Sequence, residues 1–126
     1  MAHKALIIDD TPGNIEALAQ LLALEGVESV WANSPRTIPA SVKPGNIEVV
    51  FLDLEFPNDN GLQALQCLKA DPRLEAARFV AYTVHTSEQN EAYSAGFDAF
   101  IGKPLSVERF PEQLDRILRG ESVWEV

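Results

Sequence analysis

Five short apolar runs separated by segments of helical periodicity constrain this chain more than any other feature. The runs occupy residues 4–9, 28–32, 47–53, 79–83 and 98–101. They are nearly continuous in apolar residues, which is typical of strands buried on both faces of a parallel sheet. Strands that alternate with helices at this spacing predict βαβ units. We therefore expect one α/β domain, with every strand ending at the same edge of the sheet.

The segments between these runs predict helices that differ in length and regularity. Apolar residues recur at helical spacing from Ile15 to Leu24 and again over 62–68, and a further helix is predicted over 87–95, ended by Gly96. The second helix is expected to be short or irregular because Pro39 interrupts it. Ser106 is expected to cap a last helix that Gly120 ends. The face of that helix directed at the core is predicted to contain Val107, Phe110, Leu114, Ile117 and Leu118.

Composition excludes several classes of function. The chain has 126 residues, which suits one domain, and a net charge of −9 with a pI near 4.6. Such a surface repels phosphates, so we expect no direct binding to nucleic acid. No apolar run approaches the roughly 20 residues of a membrane helix, so no membrane partner is expected. The single cysteine, Cys67, rules out an intrachain disulfide, which suits a reducing, cytoplasmic location. It falls in an apolar pattern, so we predict that it packs in the core.

Chemically useful side chains follow four of the five apolar runs. Asp9 ends the first run and Asp10 follows it, Asp53 ends the third, Thr83 ends the fourth and Lys103 follows the fifth. Ligands of open α/β sheets bind at the carboxyl ends of the strands, where these side chains would meet. Clustered carboxylates favour Mg²⁺, and a carboxylate can also attack phosphorus. An ammonium and a hydroxyl would neutralise the transferred phosphoryl group. The pattern predicts a metal-dependent phosphoryl site.

Each of these residues also has a simpler interpretation when it is taken alone. The Asp9-Asp10 pair could be a solvated turn or a helix cap, Lys103 a surface lysine and Thr83 an ordinary strand residue. His85 is expected to be a loop residue rather than a ligand or base. The joint placement of the site residues at successive strand ends is what favours a common site.

The motifs that contain these site residues occur in the same order as the motifs of a known family, which they resemble. Ile7-Ile8-Asp9-Asp10, Leu52-Asp53-Leu54 with Pro57 and Gly61, Thr83, and Lys103-Pro104 are similar to motifs of the receiver domain of two-component response regulators, the CheY-like family. The resemblance implies a flavodoxin-like α/β fold: a single doubly wound, five-stranded parallel sheet of order 2-1-3-4-5 with helices on both faces. It would place the receiver domain at residues 1–120 and leave residues 121–126 as a C-terminal tail.

The resemblance also implies a chemical role for each site residue. Asp53 would accept a phosphoryl group from a histidine kinase or a phosphotransfer protein. Asp10 would bind Mg²⁺ directly, Asp9 would assist, and Glu55 would offer its backbone carbonyl. Lys103 would pair with the phosphoryl group.

By this resemblance, the Thr83 hydroxyl would move inward on phosphorylation and would change the surface around the fourth helix, fifth strand and fifth helix. That surface would report to a downstream protein target, and a phosphorylation-dependent homodimer is compatible with the family. Val84 stands where a small residue is usual and could crowd the phosphate. Phe100 stands at the position of the family's aromatic switch, although plain core packing explains it equally well. The tail around Trp124 could fold back on the last helix or dock on a partner.

Two other functions fit parts of this pattern. A metal-dependent phosphohydrolase could form an aspartyl phosphate on a similar sheet, but haloacid dehalogenase-like phosphatases need an aspartate two residues after the nucleophile. Here that position holds Glu55, and no cap insertion follows. A phosphorylation-independent pseudo-receiver could serve as a binding module, although the complete set of site residues argues against it. We therefore expect a signalling module rather than an enzyme.

Overall fold

A single parallel sheet organises the computed structural model, which describes residues 3–56, 59–84, 86–103 and 105–125. In the chain order that we use for numbering, its strands are β1 His3–Ile8, β2 Val27–Ala32, β3 Val49–Leu52, β4 Arg78–Thr83, β5 Ala99–Gly102 and β6 Trp124–Glu125. The spatial order is β2-β1-β3-β4-β5-β6. A separate antiparallel pair joins Glu55–Phe56 to Asp59–Asn60 beyond the end of β3.

Four α-helices cover the two faces of this sheet within the described residues. They are α1 Pro12–Leu24, α2 Gly61–Lys69, α3 Gln89–Ala95 and α4 Phe110–Leu118. The apolar residues of α1 and α4 pack on one face and those of α2 and α3 on the other. None of the helices described is long and apolar enough to cross a membrane.

The predicted strand order 2-1-3-4-5 is confirmed. Parallel pairing joins β1 to both β2 and β3, and then β3 to β4 and β4 to β5. The second helix, which was expected to be short or irregular, does not form, because residues 33–48 contain turns and bends without any helix. Prolines at 35, 39 and 44 remove backbone donors from this segment and account for the outcome.

Two of the packing predictions were wrong. Val107 is 66% exposed because the last helix begins only at Phe110, after a turn at residues 107–109. Pro111 near the start of α4 favours that later beginning. Cys67 is also exposed. On α2 the buried residues are Gly61, Leu65 and Leu68, and at 100° per residue Cys67 lies well off the face that they share.

The C-terminal tail forms a sixth strand, an arrangement that differs from both of those considered from the sequence. Trp124 pairs in parallel with Phe100, and the Phe100 N–H donates to the Val123 carbonyl at 2.7 Å. The Val123 side chain is 1% exposed within the core shared by α1 and α4. Trp124 stacks on Phe100 with ring centroids 6.3 Å apart and meets Tyr93 edge-on at 5.3 Å. The tail thus covers the edge of β5.

We expect the tail to stabilise the domain by a limited amount. Val123→Asp should lower the free energy of unfolding by about 2 kcal/mol. That amount is the gain from burial of apolar tail residues minus the entropic cost of ordering the segment. Removal of residues 123–126 should lower the free energy of unfolding by about the same amount. A tail that carries a charge at position 123 can detach from the domain, so Val123→Asp should lose no more stability than the deletion does. Urea unfolding measures both. Trp124→Ala, which removes the ring that stacks on Phe100, should also lower the free energy of unfolding. Trp31→Ala is its control and should lower it less, since Trp31 is 57% exposed. A much larger loss for Val123→Asp than for the deletion would contradict docking as a unit.

Candidate functional site

The ladder of the central strands carries two aspartates to the same edge of the sheet. The Asp9 N–H donates to the Ala32 carbonyl at 3.1 Å, and the Asp53 N–H donates to the Ile8 carbonyl at 3.0 Å. Both residues therefore continue the pairing of β1 with its neighbours for one step beyond the strand ends. Because β1 and β3 are adjacent, the two carboxylates face the same space.

Three carboxylates cluster at this edge. Asp9, Asp10 and Asp53 each place one oxygen within 4.8 Å of the others. Asp9 is fully buried and Asp53 nearly so, whereas Asp10 is exposed. Negative charges this close repel one another unless a cation compensates them. An all-oxygen donor set that is open to water on one side suits Mg²⁺, which keeps several of its waters. These residues could hold that ion.

Lys103 places a positive charge of the chain itself beside two of these carboxylates. Its Nζ lies 3.0 Å from Oδ2 of Asp9 and 3.4 Å from Oδ2 of Asp53, and its side chain is 10% exposed. The Lys103 N–H donates to the Thr83 carbonyl at 2.9 Å, so the end of β4 holds the backbone of the loop after β5. Among the described residues, the Lys103 ammonium pairs with two of the three clustered carboxylates, so the formal charge of this group stays negative.

The other site residues predicted from the sequence lie near the same edge. Thr83 is fully buried at the last position of β4, where it pairs with Gly102 of β5. The Glu55 backbone belongs to the short antiparallel pair after Asp53, whereas its side chain lies outside the described part of the structure. Pro57, His85 and Pro104, which the sequence also singled out, lie outside the described residues.

Tyr82 is a site residue that the sequence analysis missed. Its hydroxyl donates to Oδ2 of Asp9 at 2.7 Å, and Nζ of Lys103 lies 4.3 Å from the centroid of its ring. Burial, followed by the negative charge of Asp9, raises the pKa of Tyr82 far above its usual value, so the hydroxyl stays protonated. The only sequence signal is a phenol one residue before the end of a strand, in a run that otherwise consists mainly of apolar residues.

Gly61 begins α2 directly against the backbone of the phosphoacceptor candidate. Its N–H donates to the Leu54 carbonyl at 3.1 Å. A Cβ at this position would lie 2.6 Å from the Asp53 carbonyl oxygen and 2.7 Å from the Leu54 Cα. Both are backbone atoms that cannot rotate away, so the close approach requires glycine.

Gly61→Ala is expected to lower the free energy of unfolding by about 1–3 kcal/mol, because the overpacked methyl group must displace the segment after Asp53. Chemical denaturation measures the loss. Gly13→Ala in the first turn of α1 is the matched control, since nothing lies within 4 Å of its Cβ position. That control should be neutral or slightly stabilising. Equal stability of the two variants would show that the segment after Asp53 adapts freely.

Two clefts reach the site from the side of α1. One, of about 600 Å³, has Tyr82 and Lys103 in its wall, together with Leu21 and Val107. The other, of about 480 Å³, is lined by Asp10, Ile15 and Trp31 among others. Both clefts combine apolar walls with charged site residues, so a protein surface could approach the carboxylates from here.

Comparison with known proteins agrees with this geometry. A family model described as the response regulator receiver domain matches residues 5–115. The polar-differentiation response regulator DivK of Brucella ovis is 25% identical over 120 residues, covering 94% of this chain and 98% of that protein. A CheY-like receiver domain from Methylobacillus flagellatus matches with a TM-score of 0.80 at 25% identity, covering 93% of this chain and 99% of that one.

The chemotaxis response regulator CheY4 of Vibrio cholerae has the same fold. It matches with a TM-score of 0.79 at 20% identity, covering 93% of this chain and 99% of that one. At that identity the likeness extends to the fold alone. The family match spans most of the chain, including all three clustered aspartates and Lys103. The chain therefore belongs to the response regulator receiver domain family of two-component signal transduction.

Proposed function

We propose that this protein is a phosphorylation-activated receiver in which Asp53 accepts a phosphoryl group from a histidine kinase or a phosphotransfer protein. The observation that carries the proposal is the position of Lys103. Its ammonium lies within 3.4 Å of carboxylate oxygens of both Asp9 and Asp53, beside a three-carboxylate cluster that suits Mg²⁺. A positive charge held at a nucleophilic carboxylate is what an acyl phosphate requires.

In the proposed reaction, a carboxylate oxygen of Asp53 attacks phosphorus and forms an O–P bond. The N–P bond of the phosphohistidine breaks, and the imidazole leaves with the electron pair and takes a proton. The Lys103 ammonium then neutralises part of the phosphoryl charge, because it already lies beside Asp53. The protein modifies itself once and turns over no substrate, as is general for receiver domains.

Mg²⁺ fits the acidic part of the site. Asp10 and Asp53 would hold it through carboxylate oxygens, with the Glu55 carbonyl as a further ligand and Asp9 in support. When bound, the ion supplies positive charge to the phosphoryl oxygens. The fit rests on the three carboxylates within 4.8 Å of one another and on the exposure of Asp10, which leaves room for metal-bound water.

We further propose that phosphorylation changes a protein-binding surface formed by α3, β5 and α4, through an inward movement of the Thr83 hydroxyl. These elements correspond to the fourth helix, fifth strand and fifth helix predicted from the sequence, because the predicted second helix does not form. Trp124 of the tail lies on this surface and stacks on Phe100. A downstream protein, or a second copy of the chain, would therefore meet the tail as part of the surface.

Phosphorylation by a small donor tests the proposal. Incubation with acetyl phosphate and Mg²⁺ should add one phosphate per chain, measured by intact mass. Hydroxylamine should remove it, as expected of an acyl phosphate. Chelation of Mg²⁺ before addition of the donor should prevent the uptake. A cognate histidine kinase, found by transfer from a panel of phosphorylated kinases, should reach the same stoichiometry faster.

Other outcomes would overturn the proposal in distinguishable ways. If neither small donors nor any kinase adds phosphate, the folded chain is a phosphorylation-independent binding module. If a phosphomonoester is hydrolysed through many turnovers under the same conditions, the site belongs to a phosphohydrolase. If the added phosphate resists hydroxylamine, the acceptor is not a carboxylate.

A further inference from the structure

The carboxylate of Asp9 is almost fully occupied by donors of the chain itself. Its Oδ2 accepts from the Tyr82 hydroxyl at 2.7 Å and from Nζ of Lys103 at 3.0 Å. Its Oδ1 accepts from the Thr11 N–H at 2.9 Å. A carboxylate has about four acceptor positions, and three of those on Asp9 are taken. Asp9 therefore keeps about one acceptor position for a cation.

Tyr82 contacts both members of the Asp9–Lys103 pair. Its hydroxyl binds the carboxylate, while its ring face lies 4.3 Å from the ammonium. The ring itself is fixed, since Tyr82 is buried and meets Phe51 edge-on at a centroid distance of 6.1 Å. A neutral donor on a rigid ring costs no reorganisation when the charges around it change. The ring face also attracts the ammonium by a cation–π interaction.

We propose that Tyr82 is a positioning residue that shares Asp9 with Lys103 and thereby keeps the ammonium available to Asp53. The hydroxyl lowers the attraction of Asp9 for cations, so Lys103 is held between two carboxylates rather than captured by one. When the Lys103 ammonium moves toward a phosphoryl group on Asp53, the Tyr82 hydroxyl stays hydrogen-bonded to Asp9. The buried Asp9 carboxylate therefore keeps a side-chain donor. The effect on phosphoryl transfer rests on the proposed function, whereas the effect on the charges of the site does not.

The loss of the hydroxyl should make Asp9 a stronger cation ligand. Tyr82→Phe keeps the buried ring and the ring contact with Lys103 but vacates one acceptor position on Oδ2. Mg²⁺ should then bind about three- to tenfold more tightly, the amount that a hydrogen bond of ordinary strength represents. Lys103 should pair more strongly with Asp9, and phosphorylation by acetyl phosphate should slow by a similar factor.

Mg²⁺ titration of the full chain, followed by the amide resonances of Asp10 and Thr11, measures the first effect. Tyr93→Phe is the matched control, because Tyr93 is exposed on α3 and should leave the affinity unchanged. The ring contact has its own spectroscopic signature, a ring-current shift of the Lys103 side-chain methylene protons next to Nζ. That shift should persist in Tyr82→Phe and disappear in Tyr82→Leu.

The outcomes separate the possibilities. Unchanged or weaker Mg²⁺ binding in Tyr82→Phe would overturn the proposal, since a residue that only packs in the core cannot tighten a metal site when its hydroxyl is removed. Retention of the methylene shift in Tyr82→Leu would overturn the contact with Lys103. If the wild-type protein takes up no phosphate but both readouts behave as expected, the proposed function fails and the positioning role stands.

Discussion

Asp53→Asn is expected to reduce phosphate uptake to background. The carboxylate oxygen of Asp53 is the nucleophile in the proposed reaction, and the neutral amide of asparagine cannot form an acyl phosphate. The substitution also removes one of the three charges that cluster within 4.8 Å, so Mg²⁺ binding should weaken. Intact-mass analysis after incubation with acetyl phosphate and Mg²⁺ measures the uptake.

Asp115→Asn is the matched control for Asp53→Asn. Asp115 is a surface acid with its own basic partner, Arg119, at 3.1 Å, and it lies on α4 away from the cluster. The Asp115→Asn variant should take up one phosphate on Asp53, as the wild type does. Because asparagine is close to aspartate in shape, both variants should unfold near the wild-type temperature. Continued uptake of one phosphate by Asp53→Asn would assign the acceptor to another residue.

Lys103→Met is expected to slow acyl-phosphate formation by about 10²- to 10³-fold, the usual effect of the loss of one preorganised charge stabiliser. Methionine keeps the length of the side chain but removes the ammonium that lies beside Asp9 and Asp53. The loss of one partner of a buried ion pair should also lower the free energy of unfolding by about 3 kcal/mol. Tyr82 and the Thr11 N–H still bind Asp9, so the variant should fold.

Mg²⁺ binding separates a chemical defect from a folding defect in Lys103→Met. The folded variant has a more negative site than the wild type, so the ion should bind at least as tightly. Lys43→Met, in an exposed loop, provides a control for the removal of one lysine charge. Phosphorylation at the wild-type rate, with Mg²⁺ still bound, would show that Lys103 does not act on the phosphoryl group.

The sheet was predictable because its signal is local. Each buried strand needs a run such as Val49–Leu52 with no exposed face, and each helix repeats its apolar residues every three or four positions. The errors lie where tertiary packing decides. The exposure of Val107 depends on the residue at which α4 begins, and that of Cys67 depends on which face of α2 meets the sheet.

The carboxylates of the site were also predictable, because parallel strands end at one edge and any polar residue that follows them must lie there. The role of Tyr82 was not. A tyrosine in a buried strand packs like any large apolar residue in sequence terms. Only the position of β4 next to β3, with β1 beyond, brings its hydroxyl to Asp9, 73 residues away in the chain.

The sequence by itself determined the layered α/β architecture, the edge at which the site forms and the residue types available there. Hydrophobic periodicity and the alternation of strands with helices along the chain are local properties, which a sequence displays directly. The tertiary structure alone decided how the charges are shared. It placed Lys103 between Asp9 and Asp53, set Tyr82 against both members of that pair, and paired the tail with β5. These contacts depend on distances of a few ångströms between residues far apart in sequence, which no local pattern encodes.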